Sequence, residues 1–390
     1  MENKNQYQSE LFSNRLKKKY KELRKWARKN RVSCYRIYDR DIPEVPVSLD
    51  LYEFLPENVT SPMESARFLS DQNARLSAND YSIEDDIKSR TFAILYLYER
   101  PYEKDEKEEE EWLDAMANAA ATVLGIPYSH IIKKQRKRQD HKASQYEKTE
   151  DTNYELQEAG NLTQECGQIF KLDLTTYLDT GLFFDHRPLR SAVRENCSNK
   201  SVLNLFCYTG SFSVYAASGN AKTVESVDLS NTYLDWAKEN MTLNGFIDKK
   251  KYIFTRADCI HFLQEKAVAQ KAVISGTASD EQKKSASTYD LIILDPPTFS
   301  NSKNTYNVLD INRDWPQLVK DCLNILNPGG TLYFSTNSER LKFDKTQLPN
   351  ATISGCIITC DDITAQTIPN DYSGSKPHRC WKFQIGKLSK

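Results

Sequence analysis

Residues 201–213 read SVLNLFCYTGSFS, and residues 223–230 read TVESVDLS. Each opens as a short apolar run of strand length and closes in polar, turn-forming residues, and the first leads into a helix-length segment, Phe212–Ser218. The pattern then repeats. Strand-like runs at Val202–Phe206, Thr223–Asp228, Tyr252–Thr255, Leu291–Asp295 and Thr331–Ser335 alternate with helix-length segments at Asn231–Asn244, Cys259–Val268 and Asp314–Leu326. Such alternation predicts an α/β, Rossmann-like fold, a mostly parallel twisted sheet with crossover helices on both faces. The stretch Ser275–Ser287 (SGTASDEQKKSAS) is small and polar and predicts a surface loop inserted before the fourth strand.

Upstream the texture differs, and a smaller α+β accessory domain is expected over 1–160, with the Rossmann-like domain over 161–390. Phe12, Leu16, Tyr20, Leu23 and Ala27 recur at spacings of three and four, which predicts an amphipathic helix over 12–30. Strand-like runs follow at Cys34–Tyr38, Val45–Tyr52 and Thr91–Tyr98. A helix carrying Trp112, Met116, Ala120 and Val123 is ended by Gly125 and Pro127. Residues 139–160 are rich in Lys, Glu and Gln and read as a long polar linker.

The chain has 390 residues, 39% hydrophobic and 27% charged, with net charge −1 and a mean hydropathy of −0.66. No run approaches the roughly 20 apolar residues of a membrane helix, and the first residues, MENKNQYQSELF, lack a secretory h-region. A cytoplasmic protein is expected. Its nine cysteines are scattered, without a C-x-x-C pair, so reduced thiols and no metal are expected.

Three strand ends carry candidate ligand-binding groups. The loop after the first strand has one glycine, Gly210, where a phosphate-cradling dinucleotide loop wants three. Tyr208, Thr209, Ser211 and Phe212 fill the remaining places, which suits a ligand without phosphates. Asp228 follows Gly210 by eighteen residues, near the spacing of an acid that accepts ribose hydroxyls. Asp258 ends the third strand, where a carboxylate can accept an adenine amino group. Either acid alone is as well explained as a helix N-cap. The ordered set describes S-adenosylmethionine.

The fourth strand ends in Asp295-Pro296-Pro297-Thr298-Phe299-Ser300. Two prolines fix φ and forbid continuation of a strand or helix. They predict a stiff turn that presents Asp295 and Phe299 to a flat base, the aromatic ring stacking on it. Holding a nitrogen nucleophile in line with an activated methyl is catalysis by positioning.

The runs Tyr177–Arg187 (YLDTGLFFDHR), Leu203–Ser213, Asp228–Leu234, Trp236–Gly245, Asp290–Lys303 (DLIILDPPTFSNSK) and Pro328–Asn337 resemble the K-type large-subunit ribosomal RNA methyltransferases, within the class I S-adenosylmethionine-dependent superfamily. The likeness covers nearly the whole chain. In many bacteria this family forms the C-terminal half of a fused two-methyltransferase protein. The THUMP and first methyltransferase domains of the fused form are missing from this sequence, so a stand-alone version is expected. The resemblance implies methylation of N7 of a guanine in 23S ribosomal RNA, free or in a precursor particle. It makes Asn204, Phe206, Tyr208, Thr209, Gly210 and Ser211 the methionine-side loop. Asp228 with Leu229 holds the ribose, and Asp258 with Cys259 the adenine. Asp295, Pro296, Pro297 and Phe299 become the methyl-transfer site, with Asp295 also near the cofactor. Asp185, His186 and Arg187 close over the cofactor, His186 in a structural role. A related branch methylates carbon-5 of cytosine and needs a cysteine nucleophile. The strand-end segment where that thiol sits reads Tyr333-Phe334-Ser335-Thr336-Asn337, which disfavours the cytosine chemistry.

The neutral total hides two basic concentrations. Residues 13–31 hold ten Lys/Arg against one acid, and residues 131–138 hold five more. RNA contact is expected from Arg15, Lys18, Lys21, Lys25, Lys133, Lys134, Arg136 and Arg138. Tyr35, Tyr38 and Tyr96 suit either base stacking or core packing. A nicotinamide oxidoreductase is opposed by the single-glycine loop. A non-catalytic RNA-binding protein on a methyltransferase scaffold is opposed by the Gly210, Asp228, Asp258 and Asp295 set.

Overall fold

The computed structural model describes residues 2–98, 105–136, 160–300 and 308–386. The chain divides into two compact units, one of residues 1–184 with 370–375 and one of 185–369 with 376–390. The sequence reading places the division after residue 160. The later boundary arises because a hairpin over 162–171 pairs into the first unit, with Val32 bridging Glu165 and the Leu55 amide donating to the Leu162 carbonyl at 2.7 Å.

In the first unit, helix α1 (Glu2–Asn30) precedes strands β1 (Cys34–Asp39) and β2 (Val47–Glu53). Helices α2 (Pro62–Ser77) and α3 (Glu84–Ser89) lead to β3 (Thr91–Tyr98). Helix α4 (Glu106–Leu124) and β4 (Ile131–Arg136) follow, then the hairpin β5 (Leu162–Glu165) and β6 (Gln168–Lys171). The sheet runs β1-β2-β3-β4. Phe12 and Leu16 of α1 share one core with Trp112 and Met116 of α4 and Ile37, Leu49 and Leu95 of the strands. Helix α4 stops at Gly125, whose left-handed φ of 70° lets its amide close on the Ala121 carbonyl. Tyr35, Tyr38 and Tyr96 are 4%, 0% and 2% exposed. They are core residues, which removes them as base-stacking platforms. The Arg36 guanidinium is buried in a two-point bond with Asp50, at 2.7 and 2.9 Å, and lies 4.8 Å from the Tyr372 ring centre.

The second unit begins with α5 (Arg187–Asn196), β7 (Ser201–Leu205), α6 (Ser211–Ser218), β8 (Thr223–Asp228), α7 (Asn231–Leu243) and β9 (Tyr252–Arg256). It continues through α8 (Cys259–Ser275), α9 (Asp280–Ser285) and β10 (Tyr289–Leu294). The short pair β11 (Phe299–Ser300) and β12 (Leu309–Asp310) precedes α10 (Ile311–Asn324) and β13 (Leu326–Thr336). The last elements are β14 (Ile358–Asp362), α11 (Thr364–Thr367) and β15 (Arg379–Ile385). The seven-stranded order is β14-β15-β13-β10-β7-β8-β9. Five neighbouring strands are parallel, and β15 and β14 add antiparallel at one edge. This is the expected Rossmann-like class.

Alternation along β10 supplies both faces of the sheet. Ile292 and Leu294 join the core beneath α8 and α10, while Leu291 and Ile293 join the one beneath α5 and α6. Two expectations need correction. The polar stretch 275–287 is not a loop, because α8 runs to Ser275 and a further helix turn, α9, is started by a Ser279–Gln282 capping box. The apolar run Ile353–Thr359, whose composition also predicts a strand with Cys356 in it and Cys360 beside it, is not one along its length. Strand β14 starts at Ile358, after Gly355 turns the chain with φ 80°.

Four aromatic rings weld β13, α10 and β15. Trp381 stacks on Phe343 at 4.3 Å and on Phe334 at 5.5 Å, and Trp315 packs on Phe343 at 4.8 Å. Trp381 is 2% exposed, so Trp381→Ala should lower stability by about 3–5 kcal/mol, read as a shift of the urea midpoint followed by far-UV circular dichroism.

Candidate active site

In an open parallel sheet, ligands bind beyond the carboxyl ends of the strands where the strand order reverses. Here the chain proceeds from β7 outward through β8 to β9, then returns to lay β10 on the other side of β7. Leu205 pairs with Leu294, so the loops that follow, 206–210 and 295–298, leave the sheet side by side.

The loop after β7 is tightly wound. Phe206, Tyr208 and Gly210 have φ of 54°, 50° and 73°, and a left-handed non-glycine residue costs about 1–2 kcal/mol. The turn is held by its own bonds. The Cys207 amide donates to the Val227 carbonyl at 3.0 Å, and the Phe206 amide donates to Cys259 Sγ at 3.2 Å. The Tyr208 amide donates to Asp228 Oδ2 at 2.9 Å. A Cβ on Gly210 would meet the Ala237 Cβ at 2.8 Å, so glycine is required twice over, by φ and by space.

Asp228 accepts from the Ser230 amide at 2.9 Å as well. Burial raises its pKa against the pull of those amides, a carboxylate poorly solvated and with lone pairs left for hydroxyl donors. Asp258 caps α8 by accepting from the Ile260 amide, and Leu229 and Ser211 are half-buried beside these loops. Asn204 and Thr209 face inward. Asn204 donates to Ser213, which meets Ser226 at 2.7 Å, and the Thr209 carbonyl accepts from Asn240. Both brace the loop from beneath, and the Cys259 thiol, also buried, does the same.

Asp295 leaves β10 into the two prolines, Pro296 buried and Pro297 half-buried. Its Oδ1 accepts from Ser335 Oγ on β13 and lies 3.4 Å from His186 Nε2. His186 Nδ1 lies 3.3 Å from Asp185 Oδ2. That oxygen also meets His378 Nδ1 at 3.0 Å, and His378 Nε2 meets Thr367 Oγ1 at 2.9 Å. The two imidazoles stack at 4.5 Å and 20°. Arg187, first residue of α5, is 4% exposed. Phe299 is 39% exposed on β11, and Thr298 donates to Asn337 Oδ1, so the turn is tied to the end of β13 beyond the prolines.

The charges decide one another. Burial opposes ionisation of His186, but Asp295 and Asp185 outweigh it and push its pKa up to about 10. Burial likewise opposes ionisation of Asp295 and Asp185, and the histidines overcome it and hold both carboxyls below their usual range. Neither nitrogen of His186 makes a well-aligned hydrogen bond; the attraction is that of a cation between two anions. Asp185, His186 and His378 also place ligand-type atoms within 4.8 Å of one another. The nitrogens of the two rings that face Asp185 and Asp295 lie 3.0–3.4 Å from a carboxylate oxygen, which is the contact of paired charges. The cluster therefore reads as an ion-pair relay.

The relay is what sequence reading missed. His378, Thr367 and Ser335 carried no local signal, and His186 was expected to be structural without its contact to Asp295. On the first unit, Lys18, Lys21 and Lys25 are exposed along one face of α1. Arg15 pairs with Asp41 at 2.7 Å. Lys133 pairs with Asp114, and Lys134 donates to the Tyr177 and Leu178 carbonyls. The side chain of Arg136 and residues 137–159, including Arg138 and most of the expected linker, lie outside the described residues, as do residues 301–303 of the DPPTFSNSK run.

A family model for S-adenosylmethionine-dependent methyltransferases matches residues 91–348. Ribosomal RNA large subunit methyltransferase K/L of Magnetococcus marinus is 36% identical over 376 residues, 96% of this chain and 43% of that protein. Ribosomal RNA large subunit methyltransferase K of Neisseria meningitidis is 38% identical over 373 residues, 96% of this chain and 86% of that protein. The chain thus spans under half of the K/L relative and most of the K relative. A solved structure described as a methyltransferase complexed with SAH superposes with TM-score 0.62 at 19% identity, covering 97% of this chain and 82% of that one; at that identity it speaks to the fold. The half-satisfied, desolvated Asp228 fits a ribose. Asp228→Asn should weaken S-adenosylhomocysteine binding about 10- to 100-fold by calorimetry, with a modest fall in melting temperature because one of the two backbone amides it accepts from is left without its oxygen.

Proposed function

Because the chain belongs to the S-adenosylmethionine-dependent methyltransferase family, we propose that it methylates a guanine at N7, giving 7-methylguanosine in the 23S RNA of the large ribosomal subunit. The substrate class is supported by the K and K/L relatives, which are large-subunit ribosomal RNA methyltransferases by name.

The observation that carries the choice of atom is the state of the groups around Asp295. Its carboxyl is held below the usual carboxylate range by His186 and Ser335, and the two carboxylates in turn push the His186 pKa up to about 10. A histidine so held is no general base at neutral pH. N7 of guanine suits such a site, since it offers an in-plane lone pair and has no proton to lose. When bound, S-adenosylmethionine supplies a methyl group on a cationic sulfur. As the new carbon–nitrogen bond forms and the sulfur–carbon bond breaks, the positive charge passes from sulfur to the purine, and the Asp295 carboxylate stabilises that charge where it develops. Phe299 offers an exposed ring for the base to stack on. The stiff Asp295–Pro297 turn fixes the approach, which is the larger part of catalysis by positioning. At the strand end where cytosine carbon-5 chemistry wants a thiol stands Ser335, committed to Asp295.

Phosphate contact is assigned to the uncommitted lysines of α1. Lys18, Lys21 and Lys25 lie three and four residues apart, hence on one stripe, while Arg15, Lys133 and Lys134 are engaged within the first unit.

Asp295→Ala should lower the single-turnover rate about 100- to 1,000-fold while changing S-adenosylhomocysteine affinity less than about threefold; equal losses in both make Asp295 a fold or cofactor residue. Mapping of modified nucleosides in 23S RNA from a deletion strain should show a missing 7-methylguanosine, and a missing 5-methylcytidine would overturn the assignment. Replacing Lys18, Lys21 and Lys25 together by Ala should reduce the log–log salt slope of RNA binding by about 2–3, read by filter binding, without changing the base modified.

A further inference from the structure

We propose that His186, clamped between Asp185 and Asp295, is the positioning residue that locks the Asp295 carboxylate so that one oxygen alone is presented to the base. The inference rests on the reading of Asp295 as the group that faces the methyl acceptor. Asp295 Oδ1 is doubly engaged, by Ser335 Oγ and by His186 Nε2 at 3.4 Å. Among the described residues Oδ2 has no hydrogen-bond partner. A carboxylate with one oxygen pinned from two sides loses its rotation about Cβ–Cγ, and its second oxygen becomes a fixed acceptor.

The clamp is built from well-separated parts of the chain. The groups facing the His186 imidazole are Asp185 on its own turn, Asp295 after β10, His378 ahead of β15 and the Phe212 ring of α6, edge-on at 5.9 Å. Cys380 of β15 is buried and feels the Asp295 charge. Thr367 holds His378, and His378 holds Asp185. Each ring nitrogen of His186 confronts a carboxylate, so a neutral tautomer would aim a lone pair at one of two anions. Only the doubly protonated ring suits both sides.

Two chemical consequences follow. The clamp cannot accept a proton from the substrate, so it serves an acceptor atom that has none to give. The free Oδ2 only accepts, so the base must meet it with an N–H donor or a developing cation. Guanine supplies the second at its N7 edge, where N7 and O6 are both acceptors and the ring turns cationic as the methyl arrives.

The test uses the full chain with a ribosomal RNA fragment and three variants, His186→Asn, Asp185→Asn and Asp295→Asn. In the parent, the single-turnover rate should stay level from about pH 7 to about 9 and fall as pH passes about 10, where His186 loses its proton. His186→Asn should lose about tenfold or more in rate, keep S-adenosylhomocysteine affinity within about twofold and lack the alkaline fall. The chain has five histidines, so the nitrogen-15 spectrum of labelled protein can be assigned by the signal that vanishes in His186→Asn; an imidazolium signature should persist to about pH 9. A rate within twofold of the parent, an alkaline fall that survives in His186→Asn, or a neutral ring at pH 7 overturns the proposal. Should His186→Asn fail to fold, Asp185→Asn decides, since loss of one carboxylate should move the alkaline fall down by about 1 pH unit or more and an unmoved fall rejects the clamp. Full activity in Asp295→Asn defeats the underlying reading of Asp295 instead, whereas a crippled Asp295→Asn beside an unaffected His186→Asn defeats the clamp alone.

Discussion

The pairing of β7 with β10 in parallel register is the constraint from which the site follows. Leu205 opposite Leu294 makes the left-handed 206–210 turn and the proline-stiffened 295–297 turn leave adjacent strands at one level. A two-residue slip of that register would part Asp295 from the loop by about 7 Å. The register is secured by burial on both faces, Leu291 and Ile293 to one side and Ile292 and Leu294 to the other. The hydrophobic core thereby sets the level of the two turns, helped at the far end of the strands by Ser201, whose amide and hydroxyl both donate to Asp290.

The two turns spend energy in different ways. The 206–210 turn accepts three left-handed backbones and recovers the cost through bonds to Val227, Cys259 and Asp228. The 295–297 turn is stiff by covalent structure, since proline has little freedom to lose. Its electrostatics are costly in another sense, because two carboxylates and an imidazolium are kept from water. Such a cluster stands only if each member is matched. The chain from Thr367 through His378, Asp185 and His186 to Asp295 and Ser335 provides that matching.

Much of this was legible in the sequence, for a physical reason. Strand and helix periodicities are local, so the five parallel strands and the helices between them are placed by the sequence, although α8 runs on to Ser275 and β13 begins as early as Leu326, and Asp228 and Asp295 stand out because strand ends are marked by turn residues. What escaped was non-local or double-valued. Asp185 and His378 are 193 residues apart, and no spacing rule joins them. Alternate positions along a strand do not say which face is solvated, so Tyr35 and Tyr96 were open to either reading until their burial was seen. A polar composition at 275–287 suggested a loop, although the Ser279–Gln282 pair that starts α9 was written there.

Residues 370–375 belong by their contacts to the first unit. They fall between α11 and β15 of the second unit, yet they pack as part of the first, with the Arg36 amide donating to Asp371 and Tyr372 beneath the Arg36 guanidinium. The polypeptide therefore passes from one unit to the other at 184, at 369 and again at 375. Such a molecule is laced rather than strung. A gene fragment cut at residue 184 yields a first unit without the strap over its buried arginine, and a fragment starting at 185 carries an orphan strap with nothing to fasten.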